Sequence, residues 1–254
     1  KLNKLALEKI RLDDIWLEFY GYGKNPISLG DLEANEFEII VREEKINPVP
    51  HLKFINYYDE QRFSKNNAEI GKSIIKKDFK KAAELISECN SQYALDVKEH
   101  LMKSPNDCIG ALKRVPKKTL ALFIHSLQSY HWNECVAGYI KNNSKKYRTL
   151  KYSLGSLVFG EAPEVDVPIV SFDTEFDNNE IKEIYLKILK KDNLTLRDFI
   201  IRQLPEVNPV SSKRILYVQT NIQYKEVDKN TVSLKFRLPP GSYATMVVRN
   251  LTNA

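Results

Sequence analysis

The chain has 254 residues, is 43% hydrophobic and 28% charged, and carries a formal net charge of +6. That length and composition predict a folded protein with a real core, as one large domain or two small ones, and exclude a disordered chain. The cationic surplus favours a polyanionic partner over an acidic one.

No apolar run reaches the roughly 18 residues that a membrane span needs, so no membrane partner is expected. The start, KLNKLALEKI, lacks a signal-peptide core and an initiator methionine. It is read as an entry partway through a longer gene product. Cys89, Cys108 and Cys135 are odd in number and widely spaced, as suits free thiols in a reducing cytoplasm. His51, His100, His125 and His131 form no helical ligand pair, so no zinc is expected. Asp173, Glu175 and Asp177 in DTEFD alternate, but no EF-hand glycine accompanies them, and a capped loop before a helix is the better reading. There is no GxGxxG, Walker loop or nucleophile elbow.

In chain order, RLDDIWLEF (11–19) alternates and predicts a strand, followed by a glycine- and proline-marked loop. NEFEIIVRE (35–43) predicts a second strand, with Phe37, Ile39 and Val41 on one face. The prolines of NPVPHL (47–52) predict a boundary. From Asn67 to Cys89 the apolar period becomes helical, in two short helices broken near Asp78. A further short helix ends at Pro116. Residues 117–142 form the clearest helix, with Leu120, Phe123, Ile124, Leu127 and His131 on one stripe. Of its polar residues, His125, Gln128, Ser129, His131 and Asn133, some are expected to be exposed. A structural hydrogen bond is the favoured role for Gln128 and Asn133.

KNNSKKYRTLKY predicts a basic surface turn, and 150–180 an irregular, proline-bearing stretch. NEIKEIYLKILKKDN and TLRDFIIRQLPEV predict helices, the latter stopped by Pro205. KRILYVQT (213–220) and TVSLKFRL (231–238) predict strands around a tight turn at 228–230. PPGSYATMVVRNLT predicts a closing helix, with Ser242 as its start signal. Strands, a helical middle and strands again describe a helical domain inserted into a sheet domain.

Basic residues cluster in KKDFKK (76–81), KRVPKK (113–118) and KNNSKKYR (141–148). Solvated helix faces would give the same composition. With Phe79 and Tyr147 interleaved, the clusters could also follow a phosphate backbone.

Four separated stretches resemble one family. INYYDEQRF resembles the Asn-Tyr-(Phe/Tyr)-Gly-x-Gln-Arg-Phe signature of the tRNA pseudouridine synthase D (TruD) family. LFIHSLQSYHWN is similar to its Gln-Ser-x-x-(Phe/Trp)-Asn helix motif. FRLPPGSYATMVVRNL is similar to its Leu-Pro-x-Gly-Ser-(Tyr/Phe)-Ala-Thr motif, followed by an arginine in a helix. SLGDLEANEFEIIVR resembles its Leu-Gly-x-Leu-x-Gly-Asn-x-Phe segment.

The resemblance implies an α+β protein: a pseudouridine synthase-type antiparallel sheet domain, incomplete at its N-terminus, interrupted by a mostly helical insertion. The catalytic part is placed at 1–55 and 213–254, and the insertion at 56–212. It implies a cytoplasmic enzyme that isomerises a uridine of tRNA, at position thirteen of the D arm, to pseudouridine without cofactor or metal. By the same match, Phe37 stacks on the flipped base, and Asn35 hydrogen-bonds near it. Asn56, Gln61, Arg62 and Phe63 line or brace the tRNA cleft, with Arg62 as the phosphate or carboxylate partner. Lys113, Arg114, Lys117 and Lys118 are assigned to RNA binding.

Several positions depart from the family pattern. The family's catalytic aspartate lies in a Lys-Asp-x-x-Ala-Val-Thr motif, which this chain lacks. Asp13 and Asp14 lack those flanking residues and do not inherit the role. Ala34 stands where glycine is usual, and Asp59 and Ser64 depart in the signature loop. The aspartate is therefore expected upstream, and the 254-residue chain alone is expected to be inactive. The alternative is a catalytically inactive RNA-binding protein or tRNA-folding helper.

Lys-to-Glu changes within 113–118 are predicted to weaken tRNA binding and flatten its salt dependence, measured as the slope of log Kd against log salt. An unchanged slope removes this patch from the RNA surface.

Overall fold

The computed structural model describes residues 31–252 apart from 44, 48 and 229, together with 19, 21–26 and 28. Nearly all of RLDDIWLEF lies outside the described residues. The chain divides into two compact units, Lys1–Glu33 and Ala34–Ala254. In the first, the Phe19 and Tyr22 rings meet edge-on at 5.1 Å.

The second unit is built on a four-stranded antiparallel sheet. β1 (Asn35–Arg42) and β2 (His51–Ile55) come from its start, and β7 (Tyr217–Asp228) and β8 (Thr231–Leu238) from its end. The spatial order is β1-β8-β7-β2. Period-two alternation sends Phe54, Val218, Ile222, Leu234, Phe236 and Leu238 into the core. The other face carries Glu36, His51, Lys53, Asn221, Lys235 and Arg237 around an open hollow of about 750 Å³. The two-proline segment proves to abut a strand. β2 begins directly after Pro50, whose carbonyl accepts the Ile222 N–H at 2.9 Å.

Between the two pairs of strands runs the helical part. α1 (Glu60–Phe63), α2 (Asn67–Ile75), α3 (Phe79–Ser87), α4 (Gln92–Lys103), α5 (Cys108–Leu112) and α6 (Lys117–Asn143) follow in order. Asp78 both breaks α2 from α3 and caps α3, accepting from the Lys81 N–H. The sequence pattern did not predict α4. α2 lies so close to α6 that a Cβ on Gly71 would sit 2.1 Å from the Phe123 carbonyl oxygen.

α6 is buried on nearly every side, not along one stripe. Gln128, Ser129, His131 and Asn133 are all within 1% of full burial, and only His125 of the five polar residues is exposed. His125 meets the expectation that some are exposed, while the other four find partners inside the fold. Gln128 donates to the Val170 carbonyl at 2.7 Å, and Trp132 to the Val167 carbonyl at 3.0 Å.

The basic "turn" after α6 is a hairpin, β3 (Tyr147–Tyr152) with β4 (Gly155–Gly160), and 150–180 also holds β5 (Val167–Ile169). The mostly exposed residues of β3 and Gly155 at φ 154° account for its loop-like composition. β5 pairs with β6 (Ser212–Arg214). α7 (Asn179–Lys191) follows the DTEFD loop and is capped by Asn178. That loop is held by structural contacts: Asp173 accepts the Ser211 N–H at 2.8 Å, and Asp177 pairs with Lys213 at 3.1 Å.

TLRDFIIRQLPEV is not a helix. It forms two 3₁₀ turns, Leu196–Phe199 and Pro205–Val207. The Ile201 N–H turns instead to the Asn208 side chain at 2.7 Å. α8 (Ala244–Leu251) closes the unit, with Tyr243 rather than Ser242 at its N-cap. The three cysteines are unpaired. Among the described residues, no helix is long and apolar enough to cross a membrane.

At the C-terminal end of α7, Asp192 accepts from His131 of α6 at 2.8 Å and from Lys72 of α2 at 2.5 Å. Burial works to raise the Asp192 pKa, but the bonds from His131 and Lys72 outweigh it and hold the carboxyl down at about 2. The unfolded value is about 3.9. The contribution is thus fully present above about pH 4 and lost as pH falls toward 2, on the order of 2 kcal/mol. Urea midpoints measured down this range are expected to fall less steeply for Asp192→Asn than for the native protein.

Candidate nucleic-acid interface

The signature loop leaves β2 and enters α1 beneath α6. Tyr58 is stitched to Asn133 by two bonds: its N–H donates to Oδ1 at 3.0 Å, and its carbonyl accepts from Nδ2 at 2.8 Å. Tyr57 donates its hydroxyl to the Val158 carbonyl at 2.8 Å. Burial pushes that phenol's pKa well up. The Arg62 carbonyl accepts from Ser126 at 2.9 Å, and Arg62 Nε donates to Ser129 Oγ at 3.0 Å. The loop is therefore held by side chains of α6.

Asp59 is a buried carboxylate, 2% exposed. It caps α1 through the Glu60 N–H at 2.9 Å and pairs with Arg249 of α8 at 3.1 Å. With its oxygens committed to these donors, it is a structural acid.

The residue that sequence reasoning passed over is Arg214, at the end of β6. Nε and one terminal nitrogen donate to the Asn56 carbonyl at 2.9 and 2.8 Å. The same terminal nitrogen reaches Asn56 Oδ1 at 2.9 Å and the Gly241 carbonyl at 3.0 Å. The guanidinium lies 3.9 Å from the Tyr58 ring centroid and 5.2 Å from that of Trp132. Burial lowers its pKa. Its only sequence signal is an arginine in a strand run that also fits a surface cation.

These contacts gather the four resembling stretches. Asn35 lies opposite Leu238, just ahead of the Pro-Pro-Gly-Ser-Tyr segment. Gly241 is tied through Arg214 to Asn56, and the Tyr243 ring meets Tyr58 edge-on at 6.0 Å. Phe37 is half-buried, paired with Phe236 across β1 and β8 and stacked on it at 5.7 Å. Phe63 is 1% exposed, with its ring 5.8 Å from Tyr152, so it braces the loop from inside. Asn56 is 3% exposed, while Gln61 faces solvent.

Lys113, Arg114, Lys117 and Lys118 are exposed but stand apart. Lys117 begins α6, twelve residues before Ser129, or about 18 Å along the axis. Lys113 and Arg114 share a groove with Asp96 and Glu99, which dilutes their charge. Among the described residues, no group of three or more His, Cys, Asp or Glu side chains could hold a metal ion.

Known proteins share this fold. The chain covers 99% of itself and 76% of a crystal structure from Methanosarcina mazei that carries the TruD name, with a TM-score of 0.69 at 23% identity. That likeness defines the class by fold. The family model for tRNA pseudouridine synthase D (TruD) matches residues 1–99, 88–152 and 155–251. Relatives bearing the tRNA pseudouridine synthase D name include one from Nanoarchaeum equitans, 30% identical over 94% of this chain and 71% of its own length. Another, from Methanosarcina acetivorans, is 24% identical over 98% and 74%. The chain belongs to the TruD family.

Asn133→Ala removes both bonds to Tyr58 and leaves a buried N–H and carbonyl unsatisfied. The expected loss is about 2–4 kcal/mol in urea unfolding. Loss of the Tyr58–Tyr243 contact should follow, seen as a change in near-ultraviolet circular dichroism.

Proposed function

We propose that the protein is a tRNA pseudouridine synthase acting on the D-arm uridine at position thirteen. The observation that carries this reading is the meeting of four family motifs at one junction in a chain that belongs to the family. The reaction is an isomerisation. The bond from ribose C1′ to uracil N1 breaks, the base turns, and C1′ bonds to C5. The C5 proton leaves and N1 gains one, so no redox partner or co-substrate is needed.

The chemistry calls for an aspartate as nucleophile or base, and for a uridine taken out of its stack. Asp59 does not serve, because Arg249 and the α1 cap occupy it. The reacting aspartate is assigned to sequence upstream of Lys1, because the Lys-Asp-x-x-Ala-Val-Thr motif is missing from this chain. Residues 1–55 and 213–254 form the catalytic part, and 56–212 the insertion, with tRNA between them. Phe37 and Asn35 meet the flipped uridine. Asn56, Gln61, Arg62 and Phe63 shape the cleft wall, and Lys113, Arg114, Lys117 and Lys118 hold a more distant part of the RNA backbone.

The test is to incubate the full-length protein with unmodified tRNA and map pseudouridine at single-nucleotide resolution. Product in the D arm is expected. Binding without product at any uridine would instead establish an RNA-binding helper. Phe37→Ala is expected to lower the turnover rate more than tRNA affinity, because stacking on one base is worth about 1–3 kcal/mol in an interface dominated by phosphates. Equal losses would make Phe37 a packing residue only.

A further inference from the structure

Partly buried cations in this protein generally have carboxylates. Lys72 pairs with Asp192, Lys77 with Asp198 and Arg249 with Asp59. Arg62 and Arg214 break that habit. Among the described residues, neither lies within 4.0 Å of a carboxylate oxygen, although both face one ring, Tyr58, at 5.6 and 3.9 Å from its centroid. They are close enough for the Arg62 charge to add to burial in lowering the Arg214 pKa. Burial raises the Tyr243 phenol, and both arginines pull it back down, which places all three groups together.

The two arginines are not equivalent. Arg214 spends its donors on Asn56 and Gly241. Arg62 spends only Nε, on Ser129, and its terminal nitrogens have no hydrogen-bond partner among the described residues. Two further groups are unspent. The hydroxyl oxygens of Ser242 and Thr245, on either side of Tyr243 in the chain, are buried without partners. Two like charges held together without an acid attract an anion, and the free terminal nitrogens of Arg62 are the donors left to receive one.

We infer that the Arg62 fork, beside Tyr243 and backed by the Arg214 charge, is the seat of one phosphodiester of the bound RNA. Arg214 is its positioning residue: it locks Asn56 and Gly241 so that the fork stays aimed. A planar guanidinium matches the two free oxygens of a phosphodiester, which a lysine does not. This rests on the reading that the ligand is tRNA.

The experiment measures tRNA affinity of the full-length protein across a range of salt, with thermal unfolding and pseudouridine formation followed in parallel. Arg62→Gln is expected to keep the melting temperature and to reduce the slope of log Kd against log salt by about 0.7–0.9, the share of one phosphate. An unchanged slope at native stability overturns the proposal. If Arg62→Gln unfolds, Arg62→Lys decides. A native slope with several-fold weaker binding supports the fork, and native affinity overturns it.

In an Arg214→Lys background, Arg62→Gln is expected to cost less affinity than in the native protein. Additive losses would deny Arg214 its positioning role. If the native protein forms no pseudouridine while the slope still drops, the enzymatic reading falls and the phosphate seat stands. If pseudouridine forms and the slope is unchanged, the enzyme stands and the phosphate seat falls.

Discussion

A guanidinium withdrawn from water without a carboxylate is costly unless its donors and its flat faces find other partners. Arg214 finds carbonyls at Asn56 and Gly241 and aromatic faces at Tyr58 and Trp132, on three segments in all. The segments concerned are the exit from β2, the buried centre of α6 and the approach to α8. They lie far apart in the chain, and none would take its course without the others. Asp59 and Arg249 add a second tie between the loop and α8. The junction is thus held by charge and by ring faces where the sheet meets the helices.

α6 provides the rigid wall against which this happens. A helix buried on all sides usually carries apolar residues throughout. Here its polar residues are retained because the neighbouring loops present bare backbone. Gln128 and Trp132 serve the run from Val167 to Val170, and Asn133 serves Tyr58. From α7, Tyr185 adds a bond to the Pro168 carbonyl at 2.5 Å. Loops that would otherwise need water are satisfied from within.

Much of this was legible in the sequence wherever a single period dominates. α2, α3 and the long α6 follow helical spacing, and the break at Asp78 is a cap with the expected chemistry. β1, β7 and β8 alternate as strands should. The failures have physical causes. Two prolines hid β2 because Pro50 contributes its carbonyl, which proline retains, to the neighbouring strand. The basic residues Arg148 and Lys151 within β3 disguised a hairpin as a turn. Apolar residues at 199–207 had helical spacing, yet tertiary bonds such as that from Asn208 to Ile201 captured the backbone in tighter turns. At the site, the resemblance named the loop, but composition gave no sign that Arg214 holds it. A strand arginine becomes informative only when its partners are known.

The contact between Gly71 and Phe123 bears on how such a molecule can move. Packed helices commonly slide past each other by small rotamer changes, a shear that spreads over many side chains. Where backbone meets backbone, as between α2 and α6, no side chain is available to yield. Any opening of the unit to admit a large ligand must then leave this helix pair intact as a block.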